Sequence, residues 1–138
     1  MLAKVTWGQS RHREVSGLSE LDEQLDAIAA EATGSILAQV TRANGDSLAI
    51  GLGTAGEMSV LSFASASLEP PFYVAVGAAA DGADALDVSD EYLVLFTFGL
   101  NHAEFHGKHM LGLERARDAM REFVVGEGLP PSVRWETR

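Results

Sequence analysis

The chain has 138 residues, 46% of them hydrophobic and 22% charged, a composition that can bury a core and is unlike that of a disordered chain. It has no cysteine, which excludes disulfides, thiolate metal sites and cysteine nucleophiles, and which suits a reducing cytoplasm. The formal net charge is −10, and it is concentrated: no Lys or Arg stands between Arg42 and Lys108, where Asp46, Glu57, Glu69, Asp81, Asp84, Asp87, Asp90, Glu91 and Glu104 all lie. Such a charge repels nucleic acid and anionic membrane and attracts a basic protein surface or cations, besides keeping the chain soluble.

A short strand is predicted over Ala3–Trp7, then a polar loop through Arg11, His12 and Arg13. The opening residues turn polar by Gln9 and show no signal-peptide core, and the longest apolar run, Tyr92–Phe98, is far shorter than a membrane span. A first helix begins with Ser19 as N-cap and with Glu20, Asp22 and Glu23 in its first turn, where the helix dipole favours anions. Leu21, Leu25, Ile28, Ala29 and Ala32 give it one apolar face, and Gly34 ends it.

The period then changes. Ile36, Ala38 and Val40 alternate, Asn44-Gly45-Asp46 is a hairpin turn, and Leu48, Ile50 and Leu52 alternate again. Thr54–Glu57 reads as a second turn, Met58–Ala64 as a strand, Pro70-Pro71 as a break and Phe72–Gly77 as a strand. After a loop over Ala78–Asp90 comes Tyr92–Phe98, apolar on both faces and therefore expected at the centre of the sheet. Asn101–Gly112 looks irregular. A second helix covers Leu113–Val125, with Leu113, Ala116, Met120, Phe123 and Val124 inward and Arg115, Asp118, Arg121 and Glu122 outward. A last strand, Ser132–Glu136, follows Pro130-Pro131, with Val133 and Trp135 on one face. The expected fold is α+β: one domain over residues 1–138, mainly an antiparallel twisted sheet with a meander of about five to seven strands and two helices packed on one face. In a meander, alternate turns share one end of the sheet. The Thr54–Glu57 turn and the Ala78–Asp90 loop are therefore expected to make one acidic edge of Glu57, Asp81, Asp84, Asp87, Asp90 and Glu91.

Three patterns could carry chemistry. Gly51-Leu-Gly53-Thr-Ala-Gly56 matches G-x-G-x-x-G, but strand-like residues follow it where a dinucleotide site needs a helix. His102, Glu104, His106 and His109 are metal-ligand types, yet their spacing fits neither H-E-x-x-H nor a zinc finger, and an exposed loop is the simpler expectation. Asp81, Asp84, Asp87 and Asp90 recur every third residue, which is not the ligand spacing of an EF-hand. No serine sits in G-x-S-x-G, and no catalytic set stands out.

Several short segments in order carry a resemblance: Gly51-Leu-Gly53 before Ser59-Val-Leu-Ser, Pro70-Pro71-Phe72-Tyr73, Gly77, Phe98-Gly99, Glu104-Phe105, a helix with Ala116, Ala119 and Phe123, and Pro130 to Trp135-Glu136. Over Ser35–Glu136 the chain resembles the first-numbered immunity protein family of bacterial polymorphic toxin systems. The resemblance implies a cytoplasmic, non-enzymatic antitoxin without a cofactor, which binds and blocks a cognate toxin domain, often one acting on nucleic acid. Its motifs are mostly structural and transfer no contact residues. The partner-binding candidates therefore come from charge: Glu57, Asp81, Asp84, Asp87, Asp90 and Glu91, facing a basic toxin surface, with Glu20, Glu23 and Glu31 of the first helix as a second acidic face. Neither direct nucleic-acid binding nor a membrane is expected, and the expected state is a monomer or homodimer. The alternatives are an interaction module with another partner, and a small metal-binding protein using the His102–His109 cluster.

Overall fold

The computed structural model describes residues 1–53, 58–77 and 93–138. In chain order the elements are β1 (Ala3–Trp7), β2 (Arg11–Val15), α1 (Leu18–Glu31), β3 (Ile36–Arg42), β4 (Ser47–Leu52), β5 (Met58–Ser59), β6 (Leu61–Ala64), β7 (Tyr73–Val76), β8 (Leu93–Phe98), β9 (Asn101–His106), β10 (Leu111–Gly112), α2 (Leu113–Val125) and β11 (Arg134–Thr137), with a short 3₁₀ turn over Gly107–His109. The main sheet runs β11-β7-β6-β4-β3-β1-β2, each neighbour antiparallel to the next. The fold is α+β and mostly antiparallel sheet, as the alternating pattern predicts.

The hairpin of β3 and β4 follows its sequence closely. Val40 pairs with Leu48 and Ala38 with Ile50, and the Arg42–Asp46 turn closes with the Arg42 N–H on the Asp46 carbonyl at 3.0 Å. Helix α2 has the predicted bounds. Helix α1 starts earlier than expected, at Leu18 after Gly17, so Ser19 lies inside the first turn and makes no cap. It also ends at Glu31, before Gly34. The Met58–Ala64 strand is broken at Val60 into β5 and β6, and β5 leaves the main sheet to pair with β10.

Three expectations are corrected. Arg11, His12 and Arg13 are not loop but the body of edge strand β2, paired with β1 from Ala3–Val15 to Trp7–Arg11. Asn101–Gly112 is not irregular; it forms β9, the 3₁₀ turn and β10. Strand β8 is not central. The place beside β7 belongs to β11, while β8 touches the main sheet through one parallel bridge, Ile36 with Thr97, and otherwise forms a hairpin with β9. The turn at Thr54–Glu57 and the loop at Ala78–Asp90 lie outside the described residues.

Packing explains this arrangement. Leu21, Leu25 and Ile28 of α1 and Ala116, Met120 and Phe123 of α2 pack with Val5, Val40, Leu48, Ile50 and Leu61 on one face of the sheet. A second cluster forms on the opposite face, where Leu37, Val60 and Val74 meet Phe96 and Phe105 from the hairpin and Met110 beyond it. The rings of Phe96 and Phe105 meet edge to face, 5.7 Å apart. Each such buried side chain is worth roughly 1.5–3 kcal/mol of transfer free energy, so the hairpin is held by side chains where its backbone pairing is sparse. Gly51 is required by this layer: a Cβ there would lie 2.5 Å from the Phe96 ring. Gly77 is required by another close approach, since its Cβ would lie 1.9 Å from the Met110 carbonyl oxygen.

Candidate functional site

The six acidic candidates, Glu57, Asp81, Asp84, Asp87, Asp90 and Glu91, lie outside the described residues. The described residues next to them do share one end of the sheet. Register sets Leu52 opposite Ile36, Ile50 opposite Leu61, and Ser62 opposite Val74, so β4 and β7 finish at the same end.

The second acidic face, on α1, is largely engaged within the protein. Arg11 and Arg13 project from β2 and pair with Glu31 and Glu20. Arg117, from α2, reaches Asp22 at 3.1 Å and Asp26 at 2.9 Å, and Arg121 also holds Asp22 at 3.1 Å. Burial pushes the Asp22 carboxyl up, but the hydrogen bonds from Arg121 and Arg117 outweigh it and leave its pKa below the ordinary value. These pairs tie β2 and α2 to α1; Glu23 is exposed among them.

The histidine cluster is dispersed by the strand. On β9, His102, Glu104 and His106 recur at a period of two and point to the same outer face, spread along the strand rather than converging on one point. His109 is buried; its ring meets that of His106 edge to face with centroids 6.0 Å apart, and its Nε2 lies 2.7 Å from Glu136 on β11. Hydrogen bonds from His109 and from Lys108 hold the Glu136 carboxyl below the usual glutamate range. Among the described residues, no group of three or more His, Cys, Asp or Glu is arranged to hold a metal ion. The G-x-G-x-x-G segment likewise begins inside strand β4 and continues beyond the described residues; its first glycine makes room for Phe96.

The β8–β9 hairpin carries a surface the sequence reading missed. Its inner face (Val94, Phe96, Ala103 and Phe105) packs on the sheet. Its outer face pairs Leu93 with His106, Leu95 with Glu104 and Thr97 with His102. Leu93 is 52% exposed and Leu95 54%. At the hairpin tip Leu100 is 81% exposed and borders a cleft of about 430 Å³ between the β1–β2 and β8–β9 turns, shared with Gln9, Ser10 and Asn101. The signal was the sequence itself: a strand apolar on both faces is central only if something covers both.

The residues quoted for the resemblance have structural work in this fold. Phe105 fills the second core while its neighbour Glu104 faces outward. The Trp135 Nε1–H donates to the Pro130 carbonyl at 2.8 Å, closing the segment before β11. No curated protein matches the chain. A family model described as Immunity protein Imm1 matches residues 9–137. That match runs from the β1–β2 turn to the end of the last strand, and the chain belongs to the Imm1 immunity protein family.

Proposed function

We propose that this protein is an antitoxin: a non-enzymatic, single-domain cytoplasmic protein that binds a cognate toxin domain and blocks it. The observation that carries this reading is membership of the immunity family along nearly the whole chain. The distribution of charge supports the finer part, a toxin acting on nucleic acid. Such a toxin needs a basic groove for its substrate. Glu57, Asp81, Asp84, Asp87, Asp90 and Glu91 come from a stretch without a single Lys or Arg. They would occupy that groove, speed association by steering and exclude the substrate. The shared sheet end of β4 and β7 is consistent with their forming one edge.

The test is co-purification with the toxic C-terminal domain encoded beside the gene, followed by an assay of that domain's activity. A tight, inhibitory complex is expected. Its association rate should fall steeply as salt rises, because exposed charges are screened within about 10 Å at 0.1 M salt, and Asp84→Lys with Asp87→Lys should slow association further. A complex that forms at the same rate at all salt concentrations would remove the acidic edge from the reading. No complex at all would remove the antitoxin.

A further inference from the structure

We infer that the outer face of the β8–β9 hairpin, with Leu93 and Leu95 at its centre, is a surface on which the toxin docks, seating an apolar patch of the toxin that is rimmed by basic residues. The inference rests on the antitoxin reading and adds a location to it.

The first support is the disagreement between sequence and burial. Strand β8 is apolar at every position but Thr97, the pattern of a strand covered on both faces. Among the described residues only its inner face is covered, by the sheet. Leu93 and Leu95 stand more than half exposed on the outer one. Single exposed leucines are ordinary, but adjacent ones on one strand face form a contiguous patch, and such patches mark partner contacts. Among the described residues, apart from Leu100 at the tip of the same hairpin, the remaining large exposed apolar side chains are scattered: Met1, Leu18, Leu68 and Val125 lie at a terminus, at helix ends or in a connection.

The second support is the setting. The leucines are bordered across the hairpin by His106, Glu104 and His102, and beside them by Thr97. An apolar centre inside a polar, hydrogen-bonding margin is the usual anatomy of a non-obligate interface.

Charge decides the occupant. In sequence, the stretch that holds Asp81, Asp84, Asp87, Asp90 and Glu91 leads directly into Leu93. A second copy of this chain would bring up another protein of net charge −10. Like charges facing each other disfavour such a dimer, whereas a basic partner is attracted. The partner is therefore a basic surface with an apolar centre, and a toxin domain with a nucleic-acid groove supplies that chemistry.

The experiment is Leu93→Thr with Leu95→Thr, titrated against the toxin domain encoded beside the gene. Threonine keeps the strand preference and leaves charge untouched, so steering is unchanged. The expected result is an unchanged melting temperature and binding weakened by at least about 30-fold, mostly through faster dissociation. Hydrogen exchange on the unaltered protein is the second measurement, and toxin should protect amides within 93–106. Binding within about threefold of the parent with no protection there overturns the hairpin surface while leaving the antitoxin standing. A parent protein that dimerises through this face, and a variant that turns monomeric yet still binds toxin, assigns the face to a second copy and overturns the inference. A parent that binds no toxin ends both readings.

Discussion

The guanidinium of Arg42 lies 4.2 Å from the centre of the Phe123 ring and donates to the Phe123 carbonyl at 2.9 Å. One side chain thus stacks on a residue of α2 and caps the same helix. Its other donors reach the carbonyls of Glu127 and Gly128, the Asn44 side chain and the Asp46 carboxylate at 2.7 Å. A cation at a helix C-terminus is favoured by the dipole, and the planar fork suits several acceptors at once. Arg42→Ala takes the donor from the buried Phe123 carbonyl and the paired cation from the Asp46 carboxylate. Urea unfolding should show a loss of about 3–5 kcal/mol, with Arg42→Lys intermediate.

Arg11 is the contrasting case. It pairs with Glu31, but both side chains are about half exposed. Water screens that pair and chain entropy opposes it. Arg11→Ala should therefore change stability by less than about 1 kcal/mol in the same urea experiment. Burial, not the presence of an ion pair, separates the two arginines.

The glycines at close approaches give a sharper test. Gly77→Ala sets a methyl against the Met110 backbone, which has no rotamer to yield, and Gly77 N–H already donates to the Lys108 carbonyl at 3.1 Å. Its cost should exceed about 4 kcal/mol, seen as loss of soluble protein or of the thermal transition. Gly51→Ala meets only the rim of the Phe96 ring. Combining it with Phe96→Leu should recover part of the loss, with a coupling of about 1 kcal/mol in a double-mutant cycle.

Acid should destabilise the protein through identifiable carboxylates. Burial tends to raise the Asp46 carboxyl, but hydrogen bonds from Arg42 and from the Ala66 N–H outweigh it and hold it below the ordinary range. The Glu136 carboxyl is lowered by His109 and Lys108. A carboxyl whose pKa is lower in the folded state binds protons more readily when unfolded. Its contribution is complete above the unfolded value, about 4, and is lost as pH falls through the folded value. Stability measured from pH 5 to pH 2.5 should decline, and Asp46→Asn should flatten that decline while lowering stability at neutral pH.

Much of this architecture was legible in the residues. The β3–β4 hairpin and α2 declare themselves through clean alternation and clean helical spacing: the hairpin sends Val40, Leu48 and Ile50 to the helix-covered face and Leu37 and Ala49 to the other layer, and α2 buries a single stripe. Strand β2 did not, since Arg11, His12 and Arg13 show no apolar alternation. Its role as an edge depends on β1 and on the acids of α1, which lie elsewhere in the chain. Strand β9 was hidden by its histidines, although Ala103 and Phe105 between polar neighbours already marked a period of two. The placement of β8 could not be read locally at all, because an apolar residue looks the same whether a sheet or a partner covers it. Of the candidate contact residues, sequence identified the acids by charge, while the leucines emerged only from their exposure.

The hairpin that closes the back of the sheet lets one short segment hold two separate instructions. On β8 the even-numbered positions, Val94 and Phe96, anchor the layer, while the odd-numbered positions, Leu93, Leu95 and Thr97, face outward. On β9 the parity reverses, with Phe105 inside and His102, Glu104 and His106 outside. Outward positions can be rewritten with little effect on the inward ones, since side chains on opposite faces of a strand do not touch. A lineage of such proteins could thus exchange one opponent for another by editing alternate letters, and keep the same scaffold throughout.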